Sequence, residues 1–443
     1  MTGSSWSPSG RRRRQADDRV PARRVGIVVL CPHFAPDNAP TGTVMTRIVD
    51  ELVELGHRVH VVTALPWYRA HAIEEGWTGS WVRRETTEWG SITRVHPFPG
   101  DDKANLLRRA VGFLGYSALA GLHGLRAGGL LRRADAVIAM SPPLTLGLTG
   151  RIVATLRRAP LVFNIQDVFP DAAIETGAIT NRSIIAVARW LERMSYRCSD
   201  AVTVLSSDLG DNVRAKLPDR LAHRVHEIPN FVDTEAIVPL DRLTAYRSEL
   251  DLGVGPVVLY GGNVGFSQSL ELVLGAAEAL PDVQFLINGD GAARASLERA
   301  AEHLTNVTFR GYIDSSLLGE LLATGDIHVV PLKAGLGRVS VPSKTYSIMA
   351  AGRPVLAAVD ADTAVPRILA ESGGGVAVAP DDLGAFVGAL TEMLADLDEA
   401  RAMGERGRDW AVANASPAAV GSAYSALLGR LRSHRGLRSK SGG

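Results

Sequence analysis

A glycine-rich segment in the second half of the chain has the composition of a phosphate-binding turn. Residues 260–265 read Tyr-Gly-Gly-Asn-Val-Gly and lie between a β-branched run and a helical pattern that starts near Ser269. Glycines let a backbone come close to a phosphate, and the N-terminus of a helix favours negative charge. The spacing is not GxGxxG, so a tight strand-to-helix turn without a ligand fits the segment as well. Phosphate binding is therefore a hypothesis that other motifs must support.

A lysine stands where a later helical pattern begins. Residues 341–346 read Val-Pro-Ser-Lys-Thr-Tyr, and the helix that they start ends at Gly352. An ordinary amphipathic helix accounts for Gly352 and Pro354 but not for Ser343 and Lys344 at its entry. A diphosphate needs a charged hydrogen-bond donor when it leaves water, and an ammonium group is one. This pattern predicts that Lys344 contacts an anionic group.

Acidic residues in two other places have possible roles in chemistry. Asp167 follows the apolar run 161–165, where its carboxylate either hydrogen-bonds a substrate or caps the residues after it. Asp360-Ala361-Asp362 matches the DxD motif of metal-dependent transferases, but three residues recur by chance. Backbone amides and Lys344 can neutralise a diphosphate without a metal ion. We therefore predict no metal site and no cofactor.

Length and composition indicate that two domains position these motifs. The chain has 443 residues, and single hydrophobic cores stop growing at roughly 250–300 residues. It is 46% hydrophobic and 21% charged, which is typical of an ordered globular protein. The net charge of +1 gives no indication of nucleic acid binding. Two cysteines supply neither a disulfide framework nor a CxxC zinc site, which favours a cytoplasmic location.

The alternation of strand and helix patterns predicts two Rossmann-like α/β domains. In the first half the strand candidates are residues 25–30, 59–63, 136–139, 161–165 and 201–204, and a helix is predicted at 43–55. In the second half they are residues 257–260, 284–288, 307–310, 327–330, 354–358 and 375–378, and a helix is predicted at 269–280. Sheets of parallel strands bind ligands at the carboxyl ends of the strands, which is where the motifs lie.

These patterns also indicate where the domains begin and end. We predict a disordered basic tail at 1–22, an N-terminal domain at 23–235 and a C-terminal domain at 236–415, with residues 231–255 as the connection. The tail contains four consecutive arginines at 11–14 but lacks the apolar stretch of a signal peptide. Two such domains are expected to enclose a cleft.

The motifs together resemble those of family 4 glycosyltransferases. Residues 260–274 resemble the donor-binding turn of the branch typified by bacterial N-acetylfucosamine transferases and by enzymes of colanic acid and O-antigen synthesis. The likeness spans about residues 25 to 415 and is strongest in the Pro-Ser-Lys entry at 342–344 and the Ala-Gly-Arg-Pro-Val stop at 351–355. It implies the GT-B fold, in which two Rossmann-like domains face each other across a cleft. It also implies that the N-terminal domain binds the acceptor, that the C-terminal domain binds the nucleotide sugar, and that a last helix, about 416–435, packs back on the first domain.

The resemblance implies a donor site and two catalytic residues. Asn263 and Gln268 occupy positions where most of the family has an arginine and a lysine, and Ser347 replaces a glutamate, so Lys344 with Arg338 is expected to supply the missing charge. Asp167 falls near a histidine of the wider family and is expected to orient the sugar or acceptor, and Lys344 to stabilise the leaving group. The residues expected to bind the donor are Gly42, Gly261, Gly262, Asn263, Gln268, Gly289, Asp290, Arg310, Tyr312, Arg338, Ser343, Lys344 and Ser347.

The activity implied by the resemblance is sugar transfer with retention of configuration. The expected donor is a nucleoside-diphosphate sugar, a UDP-sugar in particular, and the expected enzyme is a metal-independent hexosyl- or N-acetylhexosaminyltransferase. Its acceptor would be a lipid-linked saccharide or polysaccharide of the cell surface, such as one carried on polyprenyl diphosphate. Two alternatives stay open: a UDP-sugar 2-epimerase on the same double fold, and a catalytically silent GT-B partner subunit, since the glutamate pair is missing.

A glycine-rich apolar stretch at 106–131 predicts a peripheral contact with a membrane. Its uncharged run, 110–125, is shorter than the roughly 20 residues that a span requires. The apolar residues Leu107, Val111, Leu114, Ala118, Leu122 and Leu125 share a helical face, and arginines flank the stretch. An interfacial helix on the inner face of the plasma membrane, at an anionic surface, fits this pattern. A core helix packed on its own sheet is the alternative.

Overall fold

The computed structural model describes residues 25–69, 71–99, 106–130, 132–167, 169–171, 174, 179, 181–335 and 343–440. The chain forms two compact units. One contains residues up to 205, 210–228 and those from 420 onward, and the other contains residues 206–209 and 229–419. The predicted tail and Arg338 lie outside the described residues. Within those residues, no helix combines the length and apolar character that a bilayer span requires.

The described part of the first unit is built on an eight-stranded sheet. Its strands are β1 (Gly26–Leu30), β2 (Arg58–Ala64), β3 (Val82–Thr87), β4 (Gly90–Val95), β5 (Ala136–Ser141), β6 (Leu161–Ile165), β7 (Ala201–Val204) and β8 (Val225–Glu227). They lie in the order β3-β4-β2-β1-β5-β6-β7-β8. The central β1 is a run of β-branched and leucine side chains that are almost fully buried, as expected for a parallel strand covered on both faces. Each such side chain contributes about 1.5–3 kcal/mol on burial.

Six helices precede residue 229 in the described residues. They are α1 (Pro40–Glu54), α2 (Leu106–Gly124), α3 (Thr145–Leu156), α4 (Arg182–Cys198), α5 (Ser207–Ala215) and α6 (Asp219–Ala222). The α3 helix packs against both α2 and α4, so these three helices form one layer. The α2 helix ends at Gly124 rather than extending to 131, and a Cβ at Gly124 would lie 3.1 Å from Leu30 Cδ2. The interfacial stretch predicted at 106–131 is therefore a shorter helix followed by turns.

The expectation of a wholly parallel first sheet is wrong at one edge. β3 and β4 pair in antiparallel fashion, and neither strand was predicted. β3 is polar and alternates between exposed and half-buried positions, so it lacks the apolar run expected of a buried parallel strand. β4 is fully buried but carries Arg94, which donates to Glu85 Oε1 at 3.0 Å and to the Ala35 carbonyl at 2.6 Å. A buried arginine is stable only when it has such partners, and only the fold reveals them.

The described part of the second unit has a six-stranded sheet whose pairs are all parallel. Its strands are β9 (Val257–Gly261), β10 (Gln284–Asn288), β11 (Val307–Arg310), β12 (Ile327–Pro331), β13 (Val355–Ala358) and β14 (Gly375–Val378), in the order β11-β10-β9-β12-β13-β14. The described helices of this unit are α7 (Ala245–Glu249), α8 (Glu271–Ala279), α9 (Arg294–Ala300), α10 (Leu318–Thr324), α11 (Lys344–Ala350), α12 (Ala364–Ser372), α13 (Leu383–Ala395) and α14 (Leu397–Asn414).

Residues 231–255, predicted as a connection, are packed into the second unit. Tyr246 of α7 and Leu250, which directly follows the helix, belong to a buried cluster with residues of β9 and β10. Arg247 is buried and donates to the Thr324 carbonyl at 3.0 Å and to Asp326 Oδ2 at 3.2 Å. In an exposed linker these side chains would be in contact with water. The sequence pattern does not show the packing of residues 231–255, because their many polar side chains find buried partners only after the chain folds.

The last helix, α15 (Pro417–Lys440), reaches the first unit from residue 420 onward. Gly421 allows a close approach to α1, since a Cβ at Gly421 would lie 2.4 Å from Glu51 Cβ. Tyr424 is buried, and its hydroxyl accepts from Asn164 Nδ2 at 2.6 Å and lies 3.2 Å from Thr203 Oγ1. These contacts tie the helix to β6 and β7.

Candidate functional site

Three loops meet at the carboxyl edge of the second sheet. Gly261 pairs with Asn288, and Asn288 pairs with Arg310, so β9, β10 and β11 end side by side. The Gly262 amide donates to the Asn288 carbonyl at 2.9 Å, and the Gly289 amide donates to the Arg310 carbonyl at 2.8 Å. The predicted donor residues of three strands are thus brought together, in the part of a parallel sheet where ligands bind.

Gly262 is a glycine for two structural reasons. Its φ of +131° lies in a region that other residues rarely adopt. A Cβ at this position would also lie 3.1 Å from the Nζ of Lys344. The bare backbone of the turn therefore leaves space beside the lysine. A side chain here would move the ammonium group.

Lys344 brings an ammonium group to this edge. Its Nζ lies 4.0 Å from the centroid of the Tyr260 ring, over the aromatic face. The hydroxyl of Tyr260 donates to the Asn263 carbonyl at 2.5 Å, which holds the ring beneath the ammonium. Lys344 is half-buried and forms no ion pair with any described residue. Burial lowers its pKa to about 8. Among the described residues, this ammonium has no anionic partner.

A ring hydroxyl links the β10 and β11 loops. Tyr312 is 65% exposed, and its hydroxyl donates to the Asp290 carbonyl at 3.1 Å. The Asp290 carbonyl also accepts from the Val264 amide at 2.9 Å. The side chains of Asp290 and Arg310 are exposed. An exposed ring at a strand end can stack on a planar group such as a nucleotide base.

The two residues in the positions of the usual cations have different surroundings. Gln268 closes the turn, because its Oε1 accepts from the Gly265 amide at 3.1 Å. Asn263 is exposed and has its side chain close to Gly265 and Gly291. Ser343 is exposed and precedes α11, and the amide of Ser347 donates to the Ser343 carbonyl at 3.4 Å one turn later. Ser343 directly precedes Lys344, and Ser347 follows it by three residues.

Two predicted residues belong to the first unit. Gly42 was expected in a loop after β1, but it lies in the first turn of α1, because Pro40 starts the helix earlier than predicted. It is buried, and a Cβ there would lie 2.8 Å from His33 Cβ. Asp167 follows β6, is exposed and makes no side-chain hydrogen bond to a described residue. Desolvation by the protein around it raises its pKa.

A cavity in the first unit was missed by sequence reasoning. It measures about 350 Å³ and is lined by His33, Trp67, Tyr68, Phe98 and Phe113, among others. His33 Nδ1 lies 2.7 Å from Oδ2 of the buried Asp37. The signal was present as a histidine and a carboxylate four residues apart directly after β1. No helix or strand pattern distinguishes that pair from ordinary loop residues.

Comparison with known proteins identifies similar domains in both halves. Residues 41–230 match the model of the "Glycosyl transferase 4-like domain", and residues 255–396 match that of "Glycosyl transferases group 1". The Escherichia coli protein named "Putative colanic acid biosynthesis glycosyl transferase WcaI" is 29% identical over 386 residues, which cover 83% of this chain and 92% of that protein.

Solved structures share the fold of the whole described chain. Sucrose-phosphate synthase from Thermosynechococcus elongatus has a TM-score of 0.67 at 18% identity, over 93% of this chain and all of that one. HepE of Anabaena, solved in complex with UDP, has a TM-score of 0.63 at 14% identity, over 92% of this chain and all of that one. At these identities the likeness concerns the fold alone, which is the GT-B fold that was predicted.

Proposed function

Because the chain belongs to glycosyltransferase family 4, we propose that it transfers a sugar from a UDP-sugar to an acceptor of a cell-surface glycan. The acceptor is a saccharide on a lipid carrier or a growing polysaccharide, and the transferred unit is a hexose or an N-acetylhexosamine. The relationship to a protein named for colanic acid synthesis supports the class of acceptor. The likeness to a fold solved with UDP supports the class of donor.

The unpaired ammonium of Lys344 beside the Gly262 turn is the observation that carries this proposal. A diphosphate bound there would supply the anion that the described residues do not provide. The ammonium would then hydrogen-bond the phosphate oxygens. Tyr312, exposed at the end of β11, would face the base. Arg338 lies outside the described residues and stays a predicted second cation.

Leaving-group stabilisation is the main catalytic task of this site. When the bond between the sugar and the phosphate breaks, negative charge grows on the departing UDP, and Lys344 is positioned to stabilise it. In a retaining transfer with front-side attack, a departing phosphate oxygen takes the proton of the acceptor hydroxyl. A separate protein base is then unnecessary, and Asp167 has the role of orienting the sugar or acceptor. Because Lys344 supplies the charge, we expect transfer to continue in EDTA.

Chromatography coupled to mass spectrometry, which separates donor epimers of equal mass, distinguishes this proposal from its two alternatives. The purified protein is incubated with UDP-glucose, UDP-N-acetylglucosamine and their 4-epimers, with lipid-linked saccharides extracted from cells that make the protein. Glycosyl transfer to the lipid supports the proposal. Retention of configuration is determined from the anomeric coupling constant of the product, measured by NMR. An isomerised donor without transfer would identify the 2-epimerase. Intact donors and acceptors in every reaction would favour a silent partner subunit.

We also propose that the first unit lies on the cytoplasmic face of an anionic membrane. The layer of α2, α3 and α4 contains one acidic residue, Glu192, which is buried and bonded to Lys216. Large apolar side chains of all three helices are exposed: Val111, Leu114 and Leu122 on α2, Ile152 and Leu156 on α3, and Ile184, Val187 and Trp190 on α4. Arginines and exposed apolar groups on one layer suit an anionic lipid surface.

A further inference from the structure

A buried asparagine lies at the carboxyl edge of the second sheet. Asn288 ends β10 and is only 2% exposed. It shares a face of the sheet with Leu286, because side chains alternate along a strand. Leu286 belongs to an apolar cluster that also contains Tyr246. A polar side chain in such surroundings destabilises the protein unless it is hydrogen-bonded, so the partners of Asn288 indicate its role.

Asn288 connects α7 to the end of β11. Its Nδ2 donates to the Gly311 carbonyl at 3.2 Å, and its Oδ1 accepts from the Tyr246 hydroxyl at 2.5 Å. A backbone carbonyl only accepts hydrogen bonds, so the NH₂ group of Asn288 must face Gly311 and its oxygen must face Tyr246. Burial raises the pKa of Tyr246, so the hydroxyl keeps the proton that it donates. The hydrogen bonds therefore run in one direction, from Tyr246 through Asn288 to Gly311.

The bond from Asn288 fixes the peptide unit between Gly311 and Tyr312. This peptide is trans, and the C=O and N–H of a trans peptide point in opposite directions. With the Gly311 carbonyl turned towards Asn288, the Tyr312 amide points away from it. Both residues are exposed, and the Tyr312 amide donates to no residue that the structure describes. A free N–H beside an exposed ring is suited to an oxygen acceptor on a planar group.

Gly311 needs an external contact to keep this orientation. A glycine has no side chain to anchor it and has more backbone freedom than other residues. The residues after it are held by their own contacts: the Tyr312 hydroxyl donates to the Asp290 carbonyl at 3.1 Å, and Ile313 packs against the apolar cluster of Tyr246. Asn288 supplies the hydrogen bond at Gly311. A strand end that is ordered before a ligand arrives reduces the entropy lost on binding.

We propose that Asn288, oriented by Tyr246, is a positioning residue for the nucleotide base of the donor. Asn288 acts through the Gly311 carbonyl, so that the Tyr312 amide and ring face the base in one arrangement. The inference rests on the proposed function, in which the turn beside Lys344 holds the diphosphate. The nucleoside and the diphosphate then bind to different groups, and their contributions to affinity can be changed separately.

Calorimetric titration of the full-length protein with UDP and with inorganic pyrophosphate tests this role. The ratio of the two affinities measures what the nucleoside adds, and the wild type should bind UDP more tightly. Asn288→Leu should weaken UDP binding about tenfold, the effect of one hydrogen bond, and leave pyrophosphate binding unchanged. Tyr246→Phe should weaken UDP binding about threefold, since Asn288 keeps its bond to Gly311 but loses the donor that orients it. Lys344→Ala should weaken the binding of both ligands.

A double variant separates positioning from stability. Tyr246→Phe with Asn288→Leu replaces both members of the buried pair by apolar side chains, and such a replacement can be nearly neutral for stability. We expect a melting temperature close to that of the wild type but a UDP affinity still about tenfold lower. If Asn288 only stabilised the fold, the double variant would recover UDP affinity together with stability.

Thr324→Val is the matched control. Thr324 is buried in the same unit, and its hydroxyl lies 2.7 Å from that of Thr244, the residue that caps α7. The variant loses a buried hydrogen bond away from the ends of β10 and β11, so its ratio of UDP to pyrophosphate affinity should match the wild type.

The possible outcomes distinguish this inference from the proposed function. A wild type that binds UDP no more tightly than pyrophosphate, or an Asn288→Leu variant with the wild-type ratio, would overturn the positioning role and leave the diphosphate site in place. An equal loss of both affinities in Asn288→Leu would also overturn it, because the change would then not be confined to the nucleoside. A wild type that binds neither ligand would refute the proposed donor site as well.

Discussion

The ammonium of Lys344 is partly removed from water without an ion pair to any described residue. Its ammonium is half-buried against the Tyr260 ring, and burial lowers its pKa to about 8. A charge that loses water without gaining an anion destabilises the folded protein. The contact with an aromatic face offsets part of this cost. A bound diphosphate, as proposed for this site, would offset more.

Replacing Lys344 tests the phosphate site. A charge-assisted hydrogen bond contributes roughly 1.5–3 kcal/mol, so Lys344→Ala should weaken UDP binding by about one to two orders of magnitude. Calorimetric titration measures the change. The transfer rate should fall at least as far, since the leaving phosphate gains charge in the transition state.

Lys333→Ala is the matched control, because the side chain of this lysine of the same unit is 43% exposed and its Nζ lies 3.9 Å from Glu271 Oε1. Its UDP affinity should match the wild type. The melting temperature of the unliganded Lys344→Ala variant should not fall, since an unpaired buried charge has been removed. Equal UDP affinities of wild type and Lys344→Ala would show that the phosphate binds elsewhere.

The lowered pKa of Lys344 predicts how UDP binding depends on pH. Below about pH 8 the free lysine is protonated and can bind phosphate, and above it the free protein must take up a proton to do so. The affinity of the wild type should therefore fall as the pH rises from about 8 to 10. Calorimetry across this range should give a flat profile for Lys344→Ala. A fall of the same size in the variant would assign the titration to another group.

At the scale of single elements, α4 has an unusual solvent-facing surface. Trp190 is 56% exposed, and a surface cavity along the helix is lined by Trp190 together with Arg182, Arg189, Arg193 and Arg197. The core-facing side of the same helix contains Ala188, Glu192, Ser195 and Tyr196. The amphipathic pattern is thus reversed in part, since an aromatic ring faces solvent and a carboxylate faces the core. A helix with this surface is suited to an interface.

Charge reversal on two helices tests the membrane contact. Each basic residue near an anionic bilayer contributes about 1 kcal/mol, so Arg189→Glu with Arg193→Glu on α4 should lower liposome binding roughly tenfold or more. Arg108→Glu with Arg109→Glu on α2 should have the same effect. Sedimentation with phosphatidylglycerol-containing vesicles at low salt measures both. The double variant Arg401→Glu with Arg406→Glu, on α14 of the second unit, is the control, and we expect its liposome binding to equal that of the wild type. Unchanged binding in the α2 and α4 variants would refute the membrane surface.

For the whole molecule, the return of α15 to the first unit joins residues that are far apart in the sequence. Tyr424 contacts Asn164 and Thr203, which are 260 and 221 residues away. All three side chains are fully buried, so a hydrogen bond lost from this network is not replaced by water. The first unit therefore depends on the end of the chain for its stability.

Tyr424→Phe tests this dependence by removing only the hydroxyl. We expect the unfolding free energy of the first unit to fall by about 1–3 kcal/mol, because Asn164 Nδ2 loses one of its acceptors inside the core. Thermal melts measure the loss. UDP affinity should stay unchanged, since the proposed donor site lies in the other unit. A melting curve identical to the wild type would contradict the structural role of this network.

The sequence by itself determined the features that depend on local pattern. Hydrophobic patterning and β-branched residues located most strands of both sheets to within a residue or two, because a buried parallel strand needs a continuous apolar run. The motif after β9 and the lysine at 344 were recognised because glycine and charge have a meaning that does not depend on distant residues. The family followed from the same motifs.

Only the tertiary structure decided the features that depend on partners distant in sequence. The pairing of Arg94 with Glu85, the packing of 231–255 into the second unit and the cavity around His33 all require residues that only folding brings together. The position of Gly42 changed because one proline starts α1 three residues early. The low pKa of Lys344 also belongs to this class, since desolvation is a property of the surrounding atoms and not of the lysine or its neighbours along the chain.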